Sequence, residues 1–455
     1  MTRRVLLFYL ALFLLTSSGR LSSADAGAEL QASMLLATTG RLGALAPPQL
    51  DPAGWPRLGN GRYYEPHDIG APVLLIPAAL AGHLTSRRPA QADFDAPPLL
   101  SRVAASLTYA GASAIGCTFF FALLAVDRGD ARRAFLLSLL LPLTTMFWPY
   151  AKTAWDVVGG ACGMCAVLYC GRRALDPGAR PGTFAALGAT AAVTCSFRYS
   201  LLPFVVLSLI VLAAARRDRW REWLLAAGVL LAGMTPSFVY NDARTGSWLR
   251  PATASDEYLA SNNALTGSLW HGLAGLLTSP NRGIVVFAPL CVLIVGLPFV
   301  WRRLRPQERR LIVAMGIGAV SYLLLIAKLR NWGGTFGWGP RFLLPVLPIA
   351  MYASLVAMDA SWARYRRAFT AVIVAAAVWQ APAILVNWSA AIAVSPRALD
   401  QDAPGPYQHI AVWRMLIGAI EGRPVALPPA LEADPERRAG ADVPDLWIAR
   451  LVERM

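Results

Sequence analysis

Lysine is almost missing from this chain. Of 42 basic side chains in 455 residues, only Lys152 and Lys328 are lysines, so arginine supplies nearly all the positive charge. Charge itself is scarce, at 15% Asp, Glu, Lys and Arg, against about 25% in soluble domains. That scarcity excludes a string of soluble domains. Histidine occurs four times. Cys162 and Cys165 have CxxC spacing, but no second pair or histidine follows at a zinc-like distance. The six cysteines (Cys117, Cys162, Cys165, Cys170, Cys195, Cys291) all lie in apolar runs and read as small buried residues. Internal repeats, heptads and low-complexity tracts are absent.

What fills the chain instead is apolar. Hydrophobic residues make up 56% of it, and the mean hydropathy is +0.46, as in polytopic all-α membrane proteins. A net charge of +15 would point to nucleic acid in a soluble protein. Here the arginines form short clusters between apolar runs, the pattern of cytoplasmic membrane loops, and no nucleic-acid partner is called for.

Eleven apolar runs predict transmembrane helices near 4–18, 103–126, 134–150, 155–170, 183–197, 199–215, 223–240, 284–301, 311–327, 342–358 and 368–386. A twelfth run, Gly70 to Leu84, is ambiguous. If it does not cross, the clusters at 3–4, 128–133, 172–180, 216–221, 302–310 and 364–367 share one side; if it crosses, every cluster after the first moves out. The run therefore reads as a juxtamembrane or re-entrant helix, broken by Pro72 and Pro77, with Arg87 and Arg88 outside at some cost to the pattern.

This predicts a multi-pass protein of a cell inner (plasma) membrane, bacterial by its composition, with a cytoplasmic N-terminus. Residues 1–386 form the membrane domain, with a long first extracytoplasmic loop at 19–102. Residues 387–455 form an extracytoplasmic tail with one interfacial helix, Tyr407 to Ile420. Residues 1–26 also fit a cleaved signal peptide, which would leave Asp25 on the same outer side.

Four features on that side carry chemistry. Asp25 follows the first span, with Glu29 four residues on and hence on the same face of a helix. A polar and aromatic patch, Tyr63-Tyr64-Glu65-Pro66-His67-Asp68, precedes the juxtamembrane helix. Lys152 and Asp156 lie where the third span gives way to the fourth. Two arginine turns, Ser279 to Gly283 with Arg282 and Gly337 to Arg341, precede the eighth and tenth spans, and each sets a forked donor for phosphate oxygens at a helix start. Arg198 and Lys328 are weaker candidates of the same kind. The bland reading of the acids is helix capping, and of the arginines it is interfacial anchoring.

These pieces resemble the GT-C superfamily of integral membrane glycosyltransferases, of the lipid A aminoarabinose transferase and protein O-mannosyltransferase type. The likeness runs through Asp25-Ala26-Gly27-Ala28-Glu29-Leu30-Gln31, Thr39 to Gly43, Gly61 to Gly70, Asp156, Ser279 to Gly283, and Asn331 to Arg341. It covers roughly residues 1–350 and not the tail. It implies transfer of a hexosyl or pentosyl unit from a polyprenyl-phosphate-sugar to a lipid, glycan or protein acceptor outside the membrane. Asp25 would be the general base, with Asp156 a second acid that binds a metal or orients the acceptor. Arg282 and Arg341 would stabilise the departing phosphate, and Lys152, Tyr64, His67, Asp68 and Glu29 would line the substrate site. No Asp-Glu pair or Asp-x-Asp motif stands at the acid after the first span, so a divalent metal cofactor is not assigned. The alternatives are a lipid or sugar transporter, a non-catalytic envelope-assembly subunit, and a ligase moving a whole glycan.

Overall fold

A computed structural model describes residues 1–45, 61–85, 97–251, 265–334, 336–423 and 444–448; Arg87 and Arg88 lie outside them. The described residues are almost wholly helical, and their only β-pairing is an isolated bridge between Ala44 and Tyr63.

In chain order the α-helices are α1 (Thr2–Thr16), α2 (Ala24–Thr39), α3 (Gly70–Leu74), α4 (Ile76–Thr85), α5 (Leu99–Arg128), α6 (Ala131–Ser138), α7 (Leu140–Leu143), α8 (Phe147–Ala151), α9 (Asp156–Ala174) and α10 (Pro181–Phe197). After them come α11 (Leu202–Ala215), α12 (Trp220–Thr245), α13 (Leu269–Thr278), α14 (Ile284–Phe287), α15 (Leu297–Val300), α16 (Pro306–Ala327), α17 (Leu347–Leu385), α18 (Trp388–Ala393), α19 (Pro396–Leu399) and α20 (Tyr407–Ile420).

Among the described residues, four stretches are long and apolar enough to cross a membrane: Leu99–Arg128, Arg217–Thr245, Pro306–Ala327 and Arg341–Leu385. They hold five of the eleven expected spans, because 342–358 and 368–386 merge into α17. At about 1.5 Å per residue its 39 residues would run about twice the roughly 30 Å of a hydrocarbon core. A non-helical Tyr365 (φ −120°, ψ 19°) divides it within the Arg364, Arg366, Arg367 cluster. Other expected spans are interrupted. The 134–150 run becomes α6, α7 and α8, and the 284–301 run alternates α and 3-10 turns. Prolines 142, 149, 289 and 298 account for this, since each removes a helical N–H and crowds the turn before it. The 70–84 run is likewise broken, into α3 and α4 on either side of the buried Leu75.

The core is centred on α9, which packs against α5, α10, α16 and α17. Its glycines permit this: a Cβ on Gly159 would strike the Phe197 ring, and one on Gly163 the Thr194 hydroxyl, with the Thr194 Cα 3.0 Å away. Without a hydrophobic drive between helices in lipid, such close backbone approach is a main source of packing energy. The loops carrying Asp25, Asp156, Arg198 and Arg341 meet beside the start of α9.

Candidate active site

Asp25 stands in the first turn of α2, and Ser23, not Asp25, is the cap: its hydroxyl accepts from Ala26 N at 3.0 Å. The Asp25 carboxylate is thus free to face away from the helix, and Arg341 Nη1 donates to it at 2.7 Å. His67 Nε2 lies 3.9 Å from the same oxygen, and His67 Nδ1 pairs with Glu65. Burial alone would raise the Asp25 pKa, but Arg341 and His67 outweigh it and hold the carboxyl down at about 2.

Asp156 opens α9, and Arg198 Nε reaches it at 3.1 Å. The two Asp–Arg pairs share a neighbour. The guanidinium carbons of Arg341 and Arg198 lie 5.1 and 5.0 Å from the centre of the Phe342 ring, and Arg341 also stacks over Trp155 at 5.0 Å. Both arginine side chains keep 15% of their surface exposed and Asp25 keeps 27%, so this group is open to an incoming ligand.

The Arg341 side chain is bedded on glycine. A Cβ at Gly334 (φ +75°) or Gly337 would sit 2.7 Å from its methylene stem. The turn itself is held by Arg282. Fully buried, Arg282 donates to the carbonyl oxygens of Gly337 at 2.6 Å, Ala398 at 3.2 Å, Leu399 at 3.3 Å and Gly333 at 3.4 Å. Burial depresses its pKa to about 10. Asn281 likewise donates to carbonyls of 397, 398 and 400. The expected pair of phosphate arginines is therefore not side by side: Arg341 faces the acids, and Arg282 ties the loop behind it.

Lys152 is also elsewhere. It is fully buried, 2.9 Å from Asp445 and from the carbonyls of Ile384 and Val386. Burial lowers its pKa despite Asp445. Asp68 accepts from Tyr199 N at 2.7 Å, and burial raises its pKa to about 6. Tyr64 is buried with its ring against Gly43. Lys328 is exposed at the end of α16. Glu29 is fully buried one turn beyond Asp25.

Three residues outside the expected set belong to this group. Glu65 partners His67. Tyr109 lies among the acids. Arg244, on the last turn of α12, donates to the carbonyls of Glu65 (3.1 Å), Pro66 (3.2 Å) and His67 (2.7 Å) while stacking on Tyr240. Among the described residues, no three His, Cys, Asp or Glu side chains converge to hold a metal. Asp25 and Asp156 each already face an arginine.

No family model matches this sequence, and no curated protein does. Solved structures do. ArnT from Cupriavidus metallidurans bound to undecaprenyl phosphate superposes with a TM-score of 0.56 at 18% identity, over 97% of this chain and 73% of that one. Its apo state gives 0.53 over the same shares. The apo oligosaccharyltransferase of Archaeoglobus fulgidus gives 0.50 at 13% identity, over 90% of this chain and 56% of that one. With helices long and apolar enough to cross a membrane and these two GT-C glycosyltransferases as neighbours, the chain is a membrane protein with the GT-C fold.

Proposed function

We propose that this protein is a glycosyltransferase that moves a sugar from a polyprenyl-phosphate-linked donor to an acceptor hydroxyl on the extracytoplasmic face of a bacterial inner membrane. The observation that carries the reading is the pair of Asp–Arg contacts meeting across Phe342. Two guanidinium groups beside one aromatic ring suit a phosphate, and two carboxylates beside them suit a reacting hydroxyl.

In the reaction, the acceptor oxygen bonds to the anomeric carbon as the bond from that carbon to the phosphate oxygen breaks. The acceptor proton passes to the Asp25 carboxylate. The bonding pair leaves with the polyprenyl phosphate, whose new charge Arg341 and Arg198 stabilise. Asp156, gripped by Arg198, orients the acceptor, and His67 keeps Asp25 in place. Arg282 acts through the turn that carries Arg341. The resting ion pair adds a coupling: a donor phosphate that draws Arg341 toward itself leaves Asp25 the stronger base.

The test is transfer from a polyprenyl-phosphate-sugar in vesicles, read alongside undecaprenyl phosphate binding. Asp25→Asn should abolish transfer and leave lipid binding intact. Arg341→Ala with Arg198→Ala should lose the lipid. Normal turnover in Asp25→Asn would sink the base assignment, and undiminished lipid binding in the double variant would sink the phosphate site.

A further inference from the structure

Beneath the Asp–Arg pairs lie three acidic or phenolic groups that the proposed chemistry leaves unused. Both carboxylate oxygens of Glu29, the Oε2 of Glu65 and the hydroxyl of Tyr109 are buried with no hydrogen-bond partner among the described residues. All three side chains are fully buried. They belong to one neighbourhood: Glu29 feels Asp156, His67, Glu65 and Asp25, and Tyr109 feels Glu29, Asp156 and Glu65. They come from three separate places, α2, the 61–69 loop and α5.

A buried polar group without a partner is costly, and native folds keep few of them. Three in one electrostatic neighbourhood suggest that a ligand supplies the missing partners. A metal ion does not suit them, since no three ligating groups converge among the described residues. A phosphate does not either, because the arginines of the two Asp–Arg pairs attract it to themselves. Burial, followed by the Asp156 charge, pushes the Glu29 pKa well above the ordinary carboxylate range, which favours the protonated form that can both donate and accept. The phenol can do the same, and Glu65 Oε2 accepts. Ring hydroxyls, each a donor and an acceptor, match such a set.

We propose that Glu29, Tyr109 and Glu65 form the subsite that recognises hydroxyl groups of the transferred sugar, beneath the arginines that hold its phosphate. This rests on the polyprenyl-phosphate-sugar reading above. A site built to pair a hydroxyl rejects an analogue lacking it by large factors, so these residues would set which sugar is accepted.

The test uses the full chain in lipid nanodiscs and native mass spectrometry. The probes are undecaprenyl phosphate alone and the same lipid bearing glucose, mannose, galactose or arabinose. Wild type should hold at least one sugar-bearing lipid roughly tenfold more tightly than the bare lipid. Glu29→Leu and Tyr109→Phe should erase that gain while holding the bare lipid as wild type does, and Glu29→Gln, which keeps a donor and an acceptor, should retain most of it. Tyr109→Phe removes only an unpartnered hydroxyl, so its melting temperature should not fall. An unchanged sugar preference in Glu29→Leu and Tyr109→Phe overturns the subsite, as does a wild type that prefers no sugar-bearing lipid. Failure of wild type to bind even the bare lipid overturns the donor reading itself and the subsite with it.

Discussion

Asp25 owes its properties to a partner 316 residues away. Its own neighbours explain why it starts a helix, but they say nothing about Arg341, and without Arg341 burial would raise its pKa. The sign of the pH dependence follows. A carboxyl held near 2 when folded and near 3.9 when unfolded contributes stability that is present above about pH 4 and is lost as pH falls toward 2. In turnover, kcat/KM reports the free enzyme, so wild type should show no Asp25 limb above about pH 4. Arg341→Gln should move that limb upward, while in wild type the kcat limb should lie above that of kcat/KM, because the donor phosphate competes for Arg341. Superimposable profiles in wild type and Arg341→Gln would refute this coupling. Glu29, by contrast, was legible only as a helix-face neighbour of Asp25; that it is buried among other acids required the packed structure.

At the level of elements, the turn from Asn331 to Arg341 is glycine-rich because the Arg341 stem occupies the space that Cβ atoms would take. Gly337→Ala should displace Arg341 and weaken undecaprenyl phosphate binding several-fold without unfolding the protein; titration of the purified variant checks this, and unchanged affinity would show the turn to be tolerant. Arg244 does for the 65–67 loop what Arg282 does for this turn. Arg244→Ala leaves three carbonyls unserved at about 1–3 kcal/mol for each one that stays buried, so melting temperature should drop clearly, more than for Arg364→Ala on the exposed kink. From sequence Arg282 reads as an anchor or phosphate ligand, and Arg244 carries no reading at all. Burial turned them into loop staples, since a guanidinium with five donors can satisfy several carbonyls at once.

Across the whole molecule, the residues at 444–448 return to the first helix. Trp447 donates to Leu14 O at 2.8 Å and to Ser17 O through its backbone at 2.9 Å. Asp445 sits between Arg20 at 3.1 Å and Lys152 at 2.9 Å. Arg20 precedes Asp25 by five residues and Lys152 precedes Asp156 by four, so this buried carboxylate ties together the approaches to both acids. Asp445→Ala strands buried charge, which costs on the order of 3–5 kcal/mol; thermal unfolding in detergent should show it, and Asp445→Leu combined with Lys152→Met should recover part of the loss. No recovery would mean the tie is made by Arg20 alone. Orientation is tested separately by labelling. All six native cysteines are buried, so a cysteine at Asp130 should react only from the cytoplasmic side and one at Leu249 only from outside; the reverse would overturn the arginine parity.

Composition and periodicity by themselves determined that this is a helical membrane protein whose 70–84 run is broken at proline. Those properties depend on short stretches of chain, through burial in lipid, proline's missing N–H and the charge bias of loops. Only the tertiary structure decided which arginine meets which acid. Arg341 took Asp25, Arg198 took Asp156, and Arg282 and Lys152 turned to carbonyls and to Asp445. Pairing of buried charges is a matter of distance in space, and residues hundreds of positions apart carry no local sign of it.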